Sequence, residues 1–307
     1  MRWTAVAGVS VAGAAALLAY RQYLRATSLE RCLNLDDLQK AARLLLRRPL
    51  YEYLASGTGD EQTLQENIAA WKRYFLRPRM MRDVSDISTS ASLLGESMSM
   101  PVFISPAGVH RLCDFNEGEC ASARAADAAG TLFGLSQHST CDIESVAHAM
   151  PHGLRYFQLY LLRDRDASLQ LVRRAEVAGY RGFFLTVDSV VLGSREADAR
   201  NGFSALPPPL RLANYGMSDA EWNRSSADRV NAAWDQNTER LFSMSATWED
   251  LTWLKSVTRL PVIVKGIMTA EDATLCLDAG ADGVYVSNHG GRQVSPHAGL
   301  RTPPLRP

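Results

Sequence analysis

The 307 residues suffice for one large barrel or two ordinary domains, and 46% of them are apolar, enough for a sizeable core. Thirty-three basic and 33 acidic side chains cancel, so the chain lacks the electrostatic footprint of a nucleic-acid binder. Five scattered cysteines, Cys32, Cys113, Cys120, Cys141 and Cys276, form no CxxC pair, which argues against a zinc site or a disulfide framework, fits a reduced compartment and assigns them no role beyond packing.

From Trp3 to Tyr20 the chain carries no charge, and the first acid is Glu30. Arg2, Arg21 and Arg25 flank this run. As a helix it would span about 27 Å, close to the roughly 30 Å hydrocarbon core of a bilayer. A membrane anchor, a cleaved signal peptide and a mitochondrial presequence all fit; an anchor or anchor-like targeting segment over residues 1–28 is the favoured reading.

Residues 35–46 read as a helix begun by Asp36 and Asp37 and stopped by Arg47-Arg48-Pro49. Tyr51–Gly57 follows, then a second helix to about Trp71, then a loop with short strands over 74–100 broken by Pro78 and Gly95. From Pro101 a repeat sets in. Apolar runs occupy 101–106, 131–136, 155–160, 182–187, 261–266 and 283–287. Helices are expected at Glu117–Ala129, ended by Gly130, at Asp142–Met150, ended by Pro151, and at Asp166–Ala178, ended by Gly179. Thr247 with Asp250 and Thr269 with Asp272 mark two further helix starts as capping boxes. Runs begin 22 to 30 residues apart except for one step of 79, which suits repeated βαβ units with a lid or mobile loop after the fourth strand. The fold class is therefore α/β, a parallel barrel. The tail from 294 to 307 is Pro-rich, without periodicity, and reads as disordered.

Parallel barrels place active sites at the carboxyl ends of their strands. Those ends carry Ser105-Pro106-Ala107-Gly108, then Ser136, then Gln158 and Tyr160, then Thr186 and Asp188 with Arg195 beyond, then Lys265, then Ser287, His289 and Arg292. Two arginines and a tyrosine suit a small carboxylate. A histidine with an aspartate suits general-base work. The carboxylates lack metal-ligand spacing, and an electron acceptor has to come from a cofactor.

At these residues the chain resembles the FMN-dependent 2-hydroxy acid dehydrogenases and oxidases, the family of glycolate oxidase and lactate oxidase. The matching stretches are Tyr51–Gln62, Phe157–Tyr160, Leu185–Asp188, Leu192–Asp198, Ile263–Gly266 and Ser287–Gln293, in family order over roughly 35–293. The resemblance implies a TIM (β/α)8 barrel and oxidation of a small 2-hydroxy acid to the 2-oxo acid. It implies that Pro106, Ala107, Gly108, Ser136, Gln158, Thr186, Lys265 and Ser287 contact FMN, with Lys265 at the pyrimidine edge. Tyr53, Tyr160, Arg195 and Arg292 would hold the substrate. His289 would be the base and Asp188 its orienter. Oxygen or another acceptor would take the electrons, and a homotetramer is implied.

Two departures stand out. The glycolate-oxidase pattern has Ser-Ser-Trp where this chain has Ser136-Gln137-His138, so His138 is either a pocket wall or a solvated loop residue. After Gln293 the family continues with two more βα units and a phosphate-binding loop, whereas this chain runs into its Pro-rich tail. Six of eight barrel strands are thus expected, in a domain over 30–293, with a non-catalytic truncated product as the alternative function. A different flavin-dependent barrel enzyme, such as an isomerase, fits less well because of Tyr53, Arg195 and His289.

Overall fold

A computed structural model describes residues 28–189, 193–203, 205–215, 243 and 245–293. They fall into two compact units that divide between Ala55 and Ser56. The smaller unit holds helices α1 (Leu35–Leu45) and α2 (Arg48–Ala55). Asn34 caps α1, its side chain accepting the Asp37 N–H at 2.9 Å. That leaves Asp36 and Asp37 in the first turn, where the helix dipole favours acids. α1 ends just before Arg47-Arg48-Pro49, as expected, and Arg48-Pro49 also opens α2, because proline fits a first turn. Tyr53 lies on α2.

In the larger unit, α3 (Gln62–Ala69) runs into a 3-10 turn over Ala70–Arg73. A hairpin of β1 (Ala91–Leu93) and β2 (Glu96–Met98) turns through Leu94 and Gly95, both at positive φ. Six parallel strands follow in sequence order: β3 (Ile104–Ala107), β4 (Phe133–Ser136), β5 (Arg155–Leu159), β6 (Gly182–Thr186), β7 (Val262–Ile267) and β8 (Gly283–Val286). Each lies in one of the six expected apolar runs or overlaps it. Between them stand α4 (Glu119–Ala128), α5 (Ile143–Ala149), α6 (Arg165–Val177), α7 (Glu196–Asn201), α8 (Trp248–Val257) and α9 (Ala270–Asp278).

The caps explain the boundaries. Asp142 accepts from Ser145 N–H and Asp164 from Asp166 and Ala167 N–H, so both acids sit before their helices rather than in them. The Asp250 carboxylate accepts the Thr247 N–H at 2.6 Å, the reciprocal half of a capping box. At α9 Thr269 accepts from Asp272 N–H at 3.1 Å. Gly130, Gly179 and Gly280, at φ of 62°, 78° and 94°, supply the left-handed residue after α4, α6 and α9.

Strands β4, β5 and β6 are buried at every residue, as strands covered on both faces must be. One face packs against the helices, through Phe133, Leu135, Phe157, Leu159, Phe183, Leu185 and Val264. The other encloses Met98, Leu132, Tyr156, Phe184 and Ile263, with Phe103 and Tyr285 against them. Phe103 stacks on Phe184 at 6.0 Å and meets Tyr285 edge-on at 5.6 Å. The Tyr285 hydroxyl donates to Ser105 Oγ at 2.9 Å. Side chains of β3 and β8, the two outer strands, thus meet across the interior, so the sheet is curled into an incomplete barrel. At its amino end the buried Arg155 guanidinium donates to the carbonyls of Met150, Gly153, Ala178 and Gly179, which close α5 and α6.

The targeting segment expected over 1–28 lies, save Ser28, outside the described residues, as do the tail from 294 and most of the expected lid, 216–242. Among the described residues no helix is long and apolar enough to cross a membrane.

Candidate functional site

The parallel register brings the carboxyl ends of the strands to one rim. Ser136 pairs with Gln158, Thr186 with Lys265, and Lys265 with Tyr285. Beyond β8 the chain enters a 3-10 turn, His289–Gly291. His289 stands there at φ 58°, a left-handed conformation that its surroundings enforce. Ser287 Oγ accepts the His289 N–H at 3.0 Å, and Asn288 Oδ1 accepts from Gly291 N–H at 3.1 Å. Asn288 and Asn67 exchange side-chain hydrogen bonds of 2.6 and 3.0 Å.

This turn aims the imidazole at Asp188. His289 Nδ1 lies 2.7 Å from Asp188 Oδ1, 3.1 Å from Ser189 Oγ and 3.5 Å from Lys265 Nζ. Lys265 Nζ is 3.8 Å from Asp188 Oδ2. Burial is the first influence on His289 and pushes its pKa below 6.5; the Asp188 hydrogen bond pulls it up, and Lys265 and Arg292 push it down again. The ring is therefore neutral near pH 7. Its Nδ1–H is assigned to Asp188 from the network, which leaves Nε2 as a free base. Burial likewise lowers the Lys265 ammonium below its usual value, against the pull of Asp188.

Gly266 makes this crowding possible. At φ 111°, a Cβ there would lie 2.6 Å from Asp188 Cβ and 2.7 Å from its Cγ. No side chain fits between the β7 backbone and the orienting carboxylate.

The arginines come to the same rim. Arg292 Nη1 donates to Ser56 O at 2.8 Å, and Arg195 stands 3.6 Å from Asp198. Burial raises the Asp198 pKa although Arg195 and Arg292 both pull it down, which places both cations within reach of one carboxylate. Loop 56–59 ties the two arginine segments together. Thr58 N–H donates to Gly291 O and Gly59 N–H to Ser194 O, each at 2.9 Å. Gln293 accepts from Gly193 N–H at 3.0 Å and donates to Asp188 O at 3.3 Å. Tyr53 belongs to the smaller unit, so the larger unit assembles the expected substrate set without it.

His138 is half-buried between rings, 5.0 Å from Tyr160 and 5.8 Å from Tyr215. Burial first, then the charges of His289 and Arg195, depress its pKa to about 3. It is uncharged and packed between rings, not solvated as a loop residue would be. Tyr160 is anchored by its N–H, which donates to Gln137 Oε1 at 2.7 Å.

The flavin that the resemblance implies can be tested against orphaned polar atoms. Gln158 is 2% exposed, and its Oε1 accepts from Ser136 Oγ and Gln137 N–H at 3.2 Å each. Its Nε2 and the Thr186 hydroxyl are buried with no partner among the described residues. Buried donors are rarely left so, because each unmade bond costs about 1–3 kcal/mol. With Lys265 beside Thr186, these donors suit the polar edge of a planar heterocycle. At Gly108 a Cβ would meet His138 O at 2.9 Å, so only glycine lets the two loops close there.

Sequence reasoning missed Glu119. It is fully buried and accepts from His110 N–H at 2.9 Å, Thr140 N–H at 3.0 Å, Thr140 Oγ1 at 2.7 Å and Cys141 N–H at 3.0 Å. It staples the loop after β3 to the loop after β4, which carry Gly108 and His138. The only signal was an acid at a helix start, where acids are common. Gly266, Ser189 and Asp198 were also missed as parts of the site. Among the described residues no cluster of His, Cys, Asp or Glu could hold a metal ion.

Comparison with known proteins agrees with this geometry. The sequence profile of FMN-dependent dehydrogenases matches residues 42–299. Glycolate oxidase 1 of Oryza sativa subsp. indica is 45% identical over 262 residues, 85% of this chain and 69% of that protein. 2-Hydroxyacid oxidase 1 of Mus musculus is 40% identical over 266 residues, 87% of this chain and 71% of that protein. The crystal structure of mandelate oxidase with (S)-4-hydroxymandelic acid superposes with a TM-score of 0.78 at 41% identity, covering 86% of this chain and 72% of that one.

Proposed function

Since the chain belongs to the FMN-dependent dehydrogenase family, we propose that its strand-end rim oxidises a small 2-hydroxy acid to the 2-oxo acid. The observation that carries this reading is the half-buried, neutral His289 held 2.7 Å from Asp188 with a lysine and two arginines around it. FMN, when bound, supplies the acceptor for the two electrons that leave the substrate.

The chain's own residues do the rest. Arg195 and Arg292 bind the substrate carboxylate, with Tyr160 completing the clamp; a substrate role for Tyr53 rests on the family resemblance alone. His289 Nε2 takes a proton from the substrate, and Asp188 holds the tautomer and stabilises the imidazolium that forms. Pro106, Ala107, Gly108, Ser136, Gln158, Thr186 and Ser287 cradle the cofactor. Lys265 presents a fixed cation to it, as a site of developing negative charge requires. His138, Tyr160 and Tyr215 form an uncharged wall against the substrate's side chain, which favours an apolar or aromatic substituent over a second carboxylate. Oxygen is taken as the terminal acceptor by likeness to the oxidases named above, a homotetramer as the assembly by family resemblance, and residues 1–28 as a membrane or organelle targeting segment.

The test is His289→Gln in the full chain. It should bind flavin normally and lose roughly 10²–10⁴-fold in the rate of anaerobic flavin reduction by substrate, the usual range for a lost general base. Near-normal reduction would refute the assignment. A wild-type chain that binds no flavin would favour the non-catalytic alternative.

A further inference from the structure

The rings beside the rim come from separate parts of the chain. His138 lies in the loop after β4, and Tyr215 follows a stretch in which Leu206, Leu210 and Leu212 are buried. Asn214 joins these two segments and is itself 3% exposed. Its Oδ1 accepts the Ile143 N–H at 3.1 Å, one of the first donors of α5, which no residue of the helix can satisfy. Its Nδ2 donates to Ser139 Oγ at 2.8 Å and, more weakly, to Gln137 O at 3.5 Å. Ser139 Oγ in turn donates to Cys141 O at 2.7 Å. The neighbouring Ala213 N–H donates to Ser139 O at 2.9 Å. Arg174, which pairs with Glu144 at 2.7 and 2.9 Å, donates to Asn214 O at 3.4 Å.

We propose that Asn214 is a positioning residue that fixes the wall of His138, Tyr160 and Tyr215, and through it the side chain that the rim accepts on a 2-hydroxy acid. The second half rests on the function proposed above; the first half does not. Gln137 and Ser139 flank His138, and Asn214 bonds to both, so the backbone that carries the imidazole is held on either side. Gln137 Oε1 also receives the Tyr160 N–H, so the same loop sets the second ring. The third ring, Tyr215, is the next residue after Asn214. The position needs an acceptor and a donor on one short side chain, which an amide supplies and a carboxylate does not. An acid with a large substituent meets this wall, and an acid without one does not.

The experiment compares Asn214→Ala and Asn214→Asp with the wild type, as full chains isotope-labelled at histidine Cε1. His138→Gln identifies the His138 resonance, and Tyr215→Leu shows how it moves when one ring is lost. Aspartate keeps an acceptor for the Ile143 N–H but has no hydrogen for Ser139 Oγ or Gln137 O, and the Ser139 hydroxyl is committed to Cys141. Asn214→Asp should therefore melt closer to wild type than Asn214→Ala, while both shift the His138 resonance. If Asn214→Ala does not fold, Asn214→Asp decides alone. Both variants should raise KM for (S)-mandelate relative to KM for glycolate, which carries no side chain, by roughly two- to tenfold, the range of one ring contact. The proposal is overturned if the resonance stays at its wild-type position, or if Asn214→Asp restores resonance and melting together, which would make Asn214 a helix cap alone. A moved resonance with an unchanged KM ratio would overturn its second half. A wild-type chain that turns over neither acid would refute the function proposed above, and the resonance would then decide for or against Asn214.

Discussion

Gly266→Ala tests the geometry at its tightest point. The new Cβ would lie 2.6 Å from Asp188 Cβ. Non-bonded carbons rest at about 3.5–4.0 Å, so one of them has to move by about 1 Å. β7 is hydrogen-bonded to both neighbours, so Asp188, in the loop after β6, gives way. A displacement of that size away from the ring stretches the 2.7 Å bond to His289 beyond hydrogen-bond range. The φ of 111° adds backbone strain of about 1–3 kcal/mol for a residue with a Cβ. Misplacing a base by about 1 Å lowers the chemical rate by roughly 10²-fold. Gly280→Ala is the control. Its φ is 94°, but nothing lies within 4 Å of its Cβ position, so it should lose stability alone. Stopped-flow reduction of the bound flavin without oxygen, beside thermal melts, separates the two. If folded, flavin-loaded Gly266→Ala is reduced at the wild-type rate, Asp188 does not orient His289.

Four further outcomes follow from the same contacts. His289 is held below 6.5, so the base stays competent as pH falls through 6.5, and the acid limb of kcat/KM should lie below that value; a limb at or above 6.5 would contradict a neutral ring. Glu119 is held below its usual 4.5, so its contribution to stability is full above that value and is lost as pH falls through the lower folded one. Glu119→Gln should therefore cost about 1.5–3 kcal/mol near neutrality, with the difference from wild type shrinking in acid melts below pH 4.5. Arg292→Lys keeps the charge but loses the planar fork that reaches Ser56 O, so KM for the hydroxy acid should rise clearly; an unchanged KM would make the arginine structural. Residues 1–30 fused to a reporter should direct it to a membrane or organelle, and a diffuse cytosolic signal would count against a targeting role.

The strands and the rim were legible because parallel strands leave a strong trace. Phe183-Phe184-Leu185 ends at Thr186, and Val262-Ile263-Val264 at Lys265, so each apolar run announces where its polar end falls. His289, Asp188 and the arginines could be named for the same reason. What stayed hidden depends on approach in space. Gly266 looked like the last letter of a strand motif, although its significance is the Asp188 side chain against it. Glu119 looked like a dipole-favoured acid, although its four hydrogen bonds reach residues between 9 and 22 positions away.

The charges of the rim explain why the histidine can be the base. Lys265, Arg195 and Arg292 are three cations, and Asp188 and Asp198 two carboxylates, which leaves one positive charge in excess around an imidazole. A protonated His289 would make that excess two in a partly desolvated place, and such a place disfavours it. The excess is also what one substrate carboxylate cancels. Binding the anion therefore neutralises the rim and, at the same moment, removes part of the repulsion that held the proton off His289. The ring becomes more basic when the substrate arrives, while Asp188 keeps the new cation aligned. A dicarboxylate would overshoot this balance, and its second charge would face the uncharged wall of His138, Tyr160 and Tyr215 with nothing to pair it. Under the proposed function, selection for a monocarboxylic 2-hydroxy acid and activation of the base would thus be two results of one charge arrangement.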